Sequence, residues 1–199
     1  NGLNILSMTC PPSIFMYYAG KVNCNMFTMV VGRSGDDMKS TSLGLAKRII
    51  KKYWENLIAP HPASAEGLID HLSLLNAQTF IYSEMGKFLS LTGQGYAETI
   101  KTTFTDLWDC EPQSRSKAGG ELIKVDNPYV NIMSACSFPY LEKYTKAQDW
   151  NGGFLGRFLL MVGRSTRVNP NPKAFRPEFA GEMANYLREL TSGSTRSTC

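Results

Sequence analysis

VVGRSGDDMKSTS, residues 30–42, places a glycine-containing turn between a buried apolar run and an amphipathic helix. The run MFTMVV (residues 26–31) is apolar almost throughout and stops abruptly at Gly32, as a buried strand does. Beyond the turn, Leu43, Leu45, Ala46, Ile49, Ile50 and Trp54 recur at helical spacing, with Lys47, Arg48, Lys51 and Lys52 on the other side. A strand, turn and helix in this order form a phosphate cradle. Successive N–H groups of the turn converge, the helix N-terminus adds partial positive charge, a lysine adds a full charge, and a Ser or Thr hydroxyl can hold magnesium. Lys39, Ser40 and Thr41 stand in position. The spacing G-x-x-x-x-G-K-[ST] is not met, because Arg33 and Met38 occupy its glycine positions; counted from Gly32, the loop is one residue longer. Asp36 and Asp37 bring negative charge near the proposed phosphates, which costs energy unless they face solvent or help position a metal. The competing reading of the bare pattern is a surface turn capped by Asp and Ser.

Outward from this turn, strand and helix alternate. Residues 14–18 read as a possible helix. Ser64 can cap a helix carrying Leu68, Ile69 and Leu72, followed by a buried strand at 79–82. A helix is expected over 96–108, a glycine-rich basic loop around 114–120, and strands over 121–125, 129–135 and 158–162. A capped helix over 177–190 puts Phe179, Met183, Tyr186 and Leu187 on one face. This alternation predicts an α/β domain with a mainly parallel central sheet flanked by helices.

The 199-residue chain is of single-domain size, and its 43% hydrophobic content excludes a disordered tail. A net charge of +4 permits a polyanionic partner without demanding one. Five cysteines without a C-x-x-C pair suit free thiols in a reducing, cytoplasmic setting, and two histidines add little toward a zinc site. No apolar stretch approaches the ~20 residues that cross a bilayer, so no membrane partner is expected. Residues 1–190 are expected to form the domain and 191–199 a polar tail or linker, the whole reading as a piece of something larger.

The loop GRSGDDMKSTS resembles the lengthened variant P-loop, G-R-[ST]-x-x-x-x-K-x-T-S, of a family of P-loop ATPases from phages, prophages and plasmids that are commonly linked to primase modules. SAEGLI (64–69), FIYSEMGKFL (80–89), LWDC (107–110), SACS (134–137) and NGGFLGRFLLMVGRS (151–165) fall in the family's order. The resemblance implies a three-layer, RecA-like P-loop NTPase that binds ATP with Mg2+ and hydrolyses it. It also implies a homo-oligomeric ring acting as a helicase or DNA-processing motor on single-stranded DNA in mobile-element replication.

On that resemblance, Gly32, Arg33, Ser34, Gly35, Asp36, Asp37, Met38, Lys39, Ser40 and Thr41 would surround the nucleotide, with Ser40 or Thr41 on magnesium. FIYSE delivers a carboxylate to the end of a buried strand, so Glu84 can polarise the attacking water; Ser83 stands where ring ATPases carry an aspartate, leaving its metal contact indirect or through the hydroxyl. Glu84 read without the resemblance is a helix-starting acid, and Ser137, the expected sensor of the γ-phosphate, is a plain helix cap. Arg157 would stabilise charge on the γ-phosphate, within one subunit or across an interface, with Arg164 and Arg167 as substitutes. Arg115 and Lys117 suit a mobile loop tracking DNA, or an ordinary exposed one. The rival to an ATPase is a nucleotide-binding, non-hydrolysing assembly module with a degenerate loop; a third reading is DNA binding without nucleotide.

Overall fold

A computed structural model describes residues 2–10, 12–35, 37–92, 98–163 and 176–193. Its centre is a four-stranded, wholly parallel sheet of β3 (Phe27–Gly32), β4 (Ala77–Tyr82), β7 (Tyr129–Ser137) and β8 (Phe158–Val162), in the order β4-β7-β3-β8. β3 and β7 are buried along almost their whole length, which is why neither alternates apolar with charged residues; Thr28, Asn131 and Ser134 are the polar groups buried within them.

Helices cover both faces. On one, α1 (Gly2–Thr9), α2 (Lys39–Tyr53) and α8 (Pro177–Gly193) pack Ile5, Met8, Leu43, Ile49, Ile50 and Leu187 against Ile81, Met133 and Ala135. On the other, α3 (Ala65–Leu74), α4 (Met85–Leu91) and α5 (Glu98–Trp108) enclose an aromatic core. There Phe27 meets Trp108 at 5.1 Å and Phe158 at 5.4 Å between ring centroids, and Phe80 meets Phe104 at 5.2 Å. α6 (Phe138–Tyr144) and α7 (Ala147–Asn151) lead back to β8 along this side. The layering is therefore helix, sheet, helix.

Ser64 caps α3 as its sequence predicts, its Oγ accepting from Gly67 N at 3.1 Å. α1, which the patterning did not signal, is fastened by polar groups. Asn4 Nδ2 donates to Thr28 Oγ1 at 3.0 Å and Ile132 O at 2.9 Å, and Tyr129 OH donates to Ser7 O at 2.9 Å.

Two local expectations are corrected. Residues 14–18 form no helix: β1 (Phe15–Tyr17) pairs antiparallel with β2 (Lys21–Asn23). A run this short and rich in aromatics favours a strand, and Ala19 in the left-handed region (φ 51°) followed by Gly20 closes the hairpin. The basic segment at 114–120 is not a free loop either, because β5 (Gln113–Ser116) pairs with β6 (Leu122–Val125) around a turn closed by Gly120 N donating to Lys117 O at 2.9 Å. Arg115 is fixed on α3, its Nε donating to Asp70 Oδ1 at 2.7 Å, which holds the Asp70 carboxyl below the usual range. Lys117 pairs with Glu121. At the C-terminal end the expected helix continues through Gly193, and residues 194–199 lie outside the described ones. Among the described residues no helix is long and apolar enough to cross a membrane.

One buried ion pair joins α5 to α7: Lys101 Nζ lies 2.7 Å from Asp149 Oδ1, with both side chains more than nine-tenths buried. Asp149 also accepts from Lys146 N at 2.8 Å. Removing one partner leaves the other charged in an apolar interior. Asp149→Ala or Lys101→Met alone should cost about 3–5 kcal/mol in urea unfolding, whereas Lys101→Met with Asp149→Leu should recover most of it.

Candidate functional site

In a parallel sheet every strand delivers its last residue to the same edge, and here that edge gathers most of the candidate residues. Gly32 ends β3 directly opposite Ser137, the end of β7. Tyr82 ends β4 opposite Ser134, so continuing the register brings Glu84 level with Cys136, one residue short of Ser137. β7 lies between β3 and β4, which separates their ends by two strand spacings, roughly 10 Å.

Among the described residues of the turn from β3 to α2, Gly35 (φ 86°) and Met38 (φ 47°) are left-handed. Met38 is the N-cap of α2, and its own side chain makes no capping hydrogen bond to that helix. Lys39 opens the helix and is buried, its Nζ donating to Arg33 O at 2.5 Å. Asp37 folds back over the turn: its Oδ2 accepts from Arg33 N at 2.5 Å. A Cβ added at Gly32 would come within 2.7 Å of that same oxygen, so the close approach requires glycine. Arg33, Ser34 and Gly35 are exposed, as are Ser40 and Thr41 in the first turn of α2. A cleft of about 430 Å³ lined by Ser40, Thr41, Gly44, Leu45 and Arg48 flanks that turn. Asp36 lies outside the described residues.

Ser83 is exposed and Glu84 half-buried. Glu84 caps α4, accepting from Gly86 N at 3.4 Å, so its helix-starting role is real and its carboxylate stays at the edge. Ser137 is buried at the N-cap of α6 without a side-chain capping bond. Behind both lies Cys136. Burial, and then the Glu84 carboxylate beside it, push its thiol up from 9.0 to about 12.

Arg157 is not brought to this edge. It precedes β8, and Phe158 is paired with Phe27, the first residue of β3, so it sits some six residues of strand, about 20 Å, from the level of Gly32. There its Nη2 donates to Asp109 Oδ2 at 2.6 Å and its Nη1 to Gly153 O at 3.2 Å. Arg157 therefore stands at the edge opposite Gly32 within its own subunit. The chain does return to the loop edge at Gly163, whose N donates to Val31 O at 3.2 Å, but Arg164 and Arg167 lie outside the described residues.

The donor set suits a phosphate–metal pair better than a dedicated metal cage. Among the described residues no group of three or more His, Cys, Asp or Glu could hold an ion, while the exposed Ser40 and Thr41 hydroxyls in the first turn of α2 fit magnesium arriving with phosphate oxygens. A larger, mostly apolar groove of about 590 Å³ lies between α1, α2 and α8 and reaches Ser42 and Leu45 of α2. The sequence reading noted the charge of Asp37 but not its seat on Arg33 N; the extra loop residue was the signal.

A scan against protein-family models finds no match, and a search of curated proteins finds none.

The neutral, buried Cys136 has a measurable consequence. At pH 8 the folded protein should leave Cys136 unmodified by iodoacetamide, and denaturant should expose it. Because its folded value is raised, its contribution to stability is intact below pH 9 and declines as pH climbs from 9 toward 12. Urea midpoints of wild type and Cys136→Ala should therefore converge over that window.

Proposed function

We propose that the edge formed by Gly32, Lys39, Glu84 and Ser137 binds and hydrolyses ATP with Mg2+, in the manner of a RecA-like P-loop NTPase. The observation that carries this reading is the divergence of the chain at the adjacent ends of β3 and β7. These neighbours send their chains to opposite faces, α2 to one and α6 to the other, and the groove between such strand ends is where open α/β sheets take ligands.

The buried lysine and the N-terminus of α2 supply positive potential for the β- and γ-phosphates. Ser40 and Thr41 would hold magnesium, which when bound offsets charge on the phosphate oxygens. Glu84, roughly two strand spacings across, leaves room for a terminal phosphate and a water, and accepts the water's proton. Ser137, opposite Gly32, is placed to hydrogen-bond that phosphate or water. Arg157 enters this scheme only by reaching the site of a neighbouring copy after leaving Asp109, which is the role a homo-oligomeric ring assigns it. The resemblance to phage and plasmid ATPases supports a motor or helicase task on single-stranded DNA.

The non-hydrolysing assembly module is the second reading, favoured by Ser83 in place of an acid and by Glu84 serving as a helix cap. Turnover separates them. With the full chain and MgATP, Lys39→Ala should abolish saturable nucleotide binding. Glu84→Gln should preserve binding but lower turnover by about 10²–10⁴, with and without single-stranded DNA. Binding without turnover in wild type, unaffected by Glu84→Gln, would establish the assembly module instead.

A further inference from the structure

Resting on the nucleotide reading above, we infer that Asp37 is a built-in competitor for the phosphate seat, so that the loop is closed by its own carboxylate until a nucleotide displaces it. Asp37 Oδ2 takes the N–H of Arg33, the first amide after β3, at 2.5 Å. It lies against the bare Cα of Gly32, where a Cβ would come within 2.7 Å of it. Gly32 thus makes room for a carboxylate in the interior of the turn, the region where an incoming phosphate would need the backbone to come close. Lys39, the site's one full positive charge on the first turn of α2, is meanwhile folded onto Arg33 O at 2.5 Å. The amide of Arg33 is therefore satisfied by Asp37 and its carbonyl by Lys39.

The length of the loop explains how this is possible. A turn of the G-x-x-x-x-G-K-[ST] spacing has glycine just before the lysine; here the extra residue and Met38 in the left-handed region let the chain double back, bringing the side chain of Asp37 over Arg33. Two anions cannot share one amide. Entry of a triphosphate at the turn requires Asp37 to leave, and nucleotide affinity is lowered by the stability of the closed loop. Release of the carboxylate also frees its charge to repel or reorient, so that loop opening and nucleotide uptake are one coupled event.

The test is titration of the full chain with a fluorescent ATP analogue and with inorganic pyrophosphate, both with Mg2+. Wild type is compared with Asp37→Asn, Asp37→Ala, Asp36→Asn and Lys39→Ala. Circular dichroism and urea midpoints confirm that each variant is folded, and the near-isosteric Asp37→Asn guards against a loop defect in Asp37→Ala. Both Asp37 variants should bind at least about tenfold more tightly than wild type, the size expected for losing a charge-assisted bond, while Asp36→Asn, which removes the same charge next door, should change affinity far less. Unchanged or weaker binding in the Asp37 variants, with Lys39→Ala still losing binding, overturns the competitor and leaves the nucleotide site standing. An equal gain in Asp36→Asn reduces the effect to general charge and also overturns it. If no form takes up nucleotide saturably, the nucleotide reading falls and this inference falls with it.

Discussion

The pairing of β3 with β7 is the contact on which the arrangement rests. It is parallel and in register from Phe27 opposite Ile132 to Gly32 opposite Ser137, with both strands sealed between helical layers. Parallel direction sends both strands to the same edge, in register at Gly32 and Ser137, and from there the chain leaves to opposite faces, into α2 and α6. A shift of one residue in this register would exchange the two faces of β7. Cys136 would leave the aromatic core, Met133 would leave the layer beneath α2, and Ser137 would no longer meet Gly32.

Polar groups locate the pieces that apolar packing leaves free to slide. The amide of Asn4 bridges Thr28 and Ile132, tying α1 to both central strands at once, and the Lys101–Asp149 pair ties α5 to the segment that leads into β8. Such bonds are weak sources of net stability but strong selectors of position, since each is costly when misaligned in a dry interior.

The central strands were legible because full burial leaves largely apolar runs that do not alternate with charged residues, and α2 and α3 because one face of each is apolar and Ser64 supplies a capping oxygen. The loop and Glu84 were legible as residues that follow strands. For Arg157 the sequence left two placements open, in its own subunit's site or across an interface; its position before the apolar run of β8 assigns it to the far edge of its own parallel sheet. α1 was invisible because its fastening depends on Asn4 and Ser7 meeting residues more than a hundred positions away. The β1–β2 hairpin was misread because the five consecutive large apolar or aromatic residues 14–18 have no period to distinguish strand from helix.

Met38 carries one more implication. A residue with a side chain costs about 1–2 kcal/mol in the left-handed region, and Met38, roughly half exposed, gains little from packing to offset it. What keeps it there is its neighbours, the carboxylate before it and the buried ammonium after it. The strained residue thus stands between the two bonds that close the turn, Asp37 to Arg33 N and Lys39 to Arg33 O.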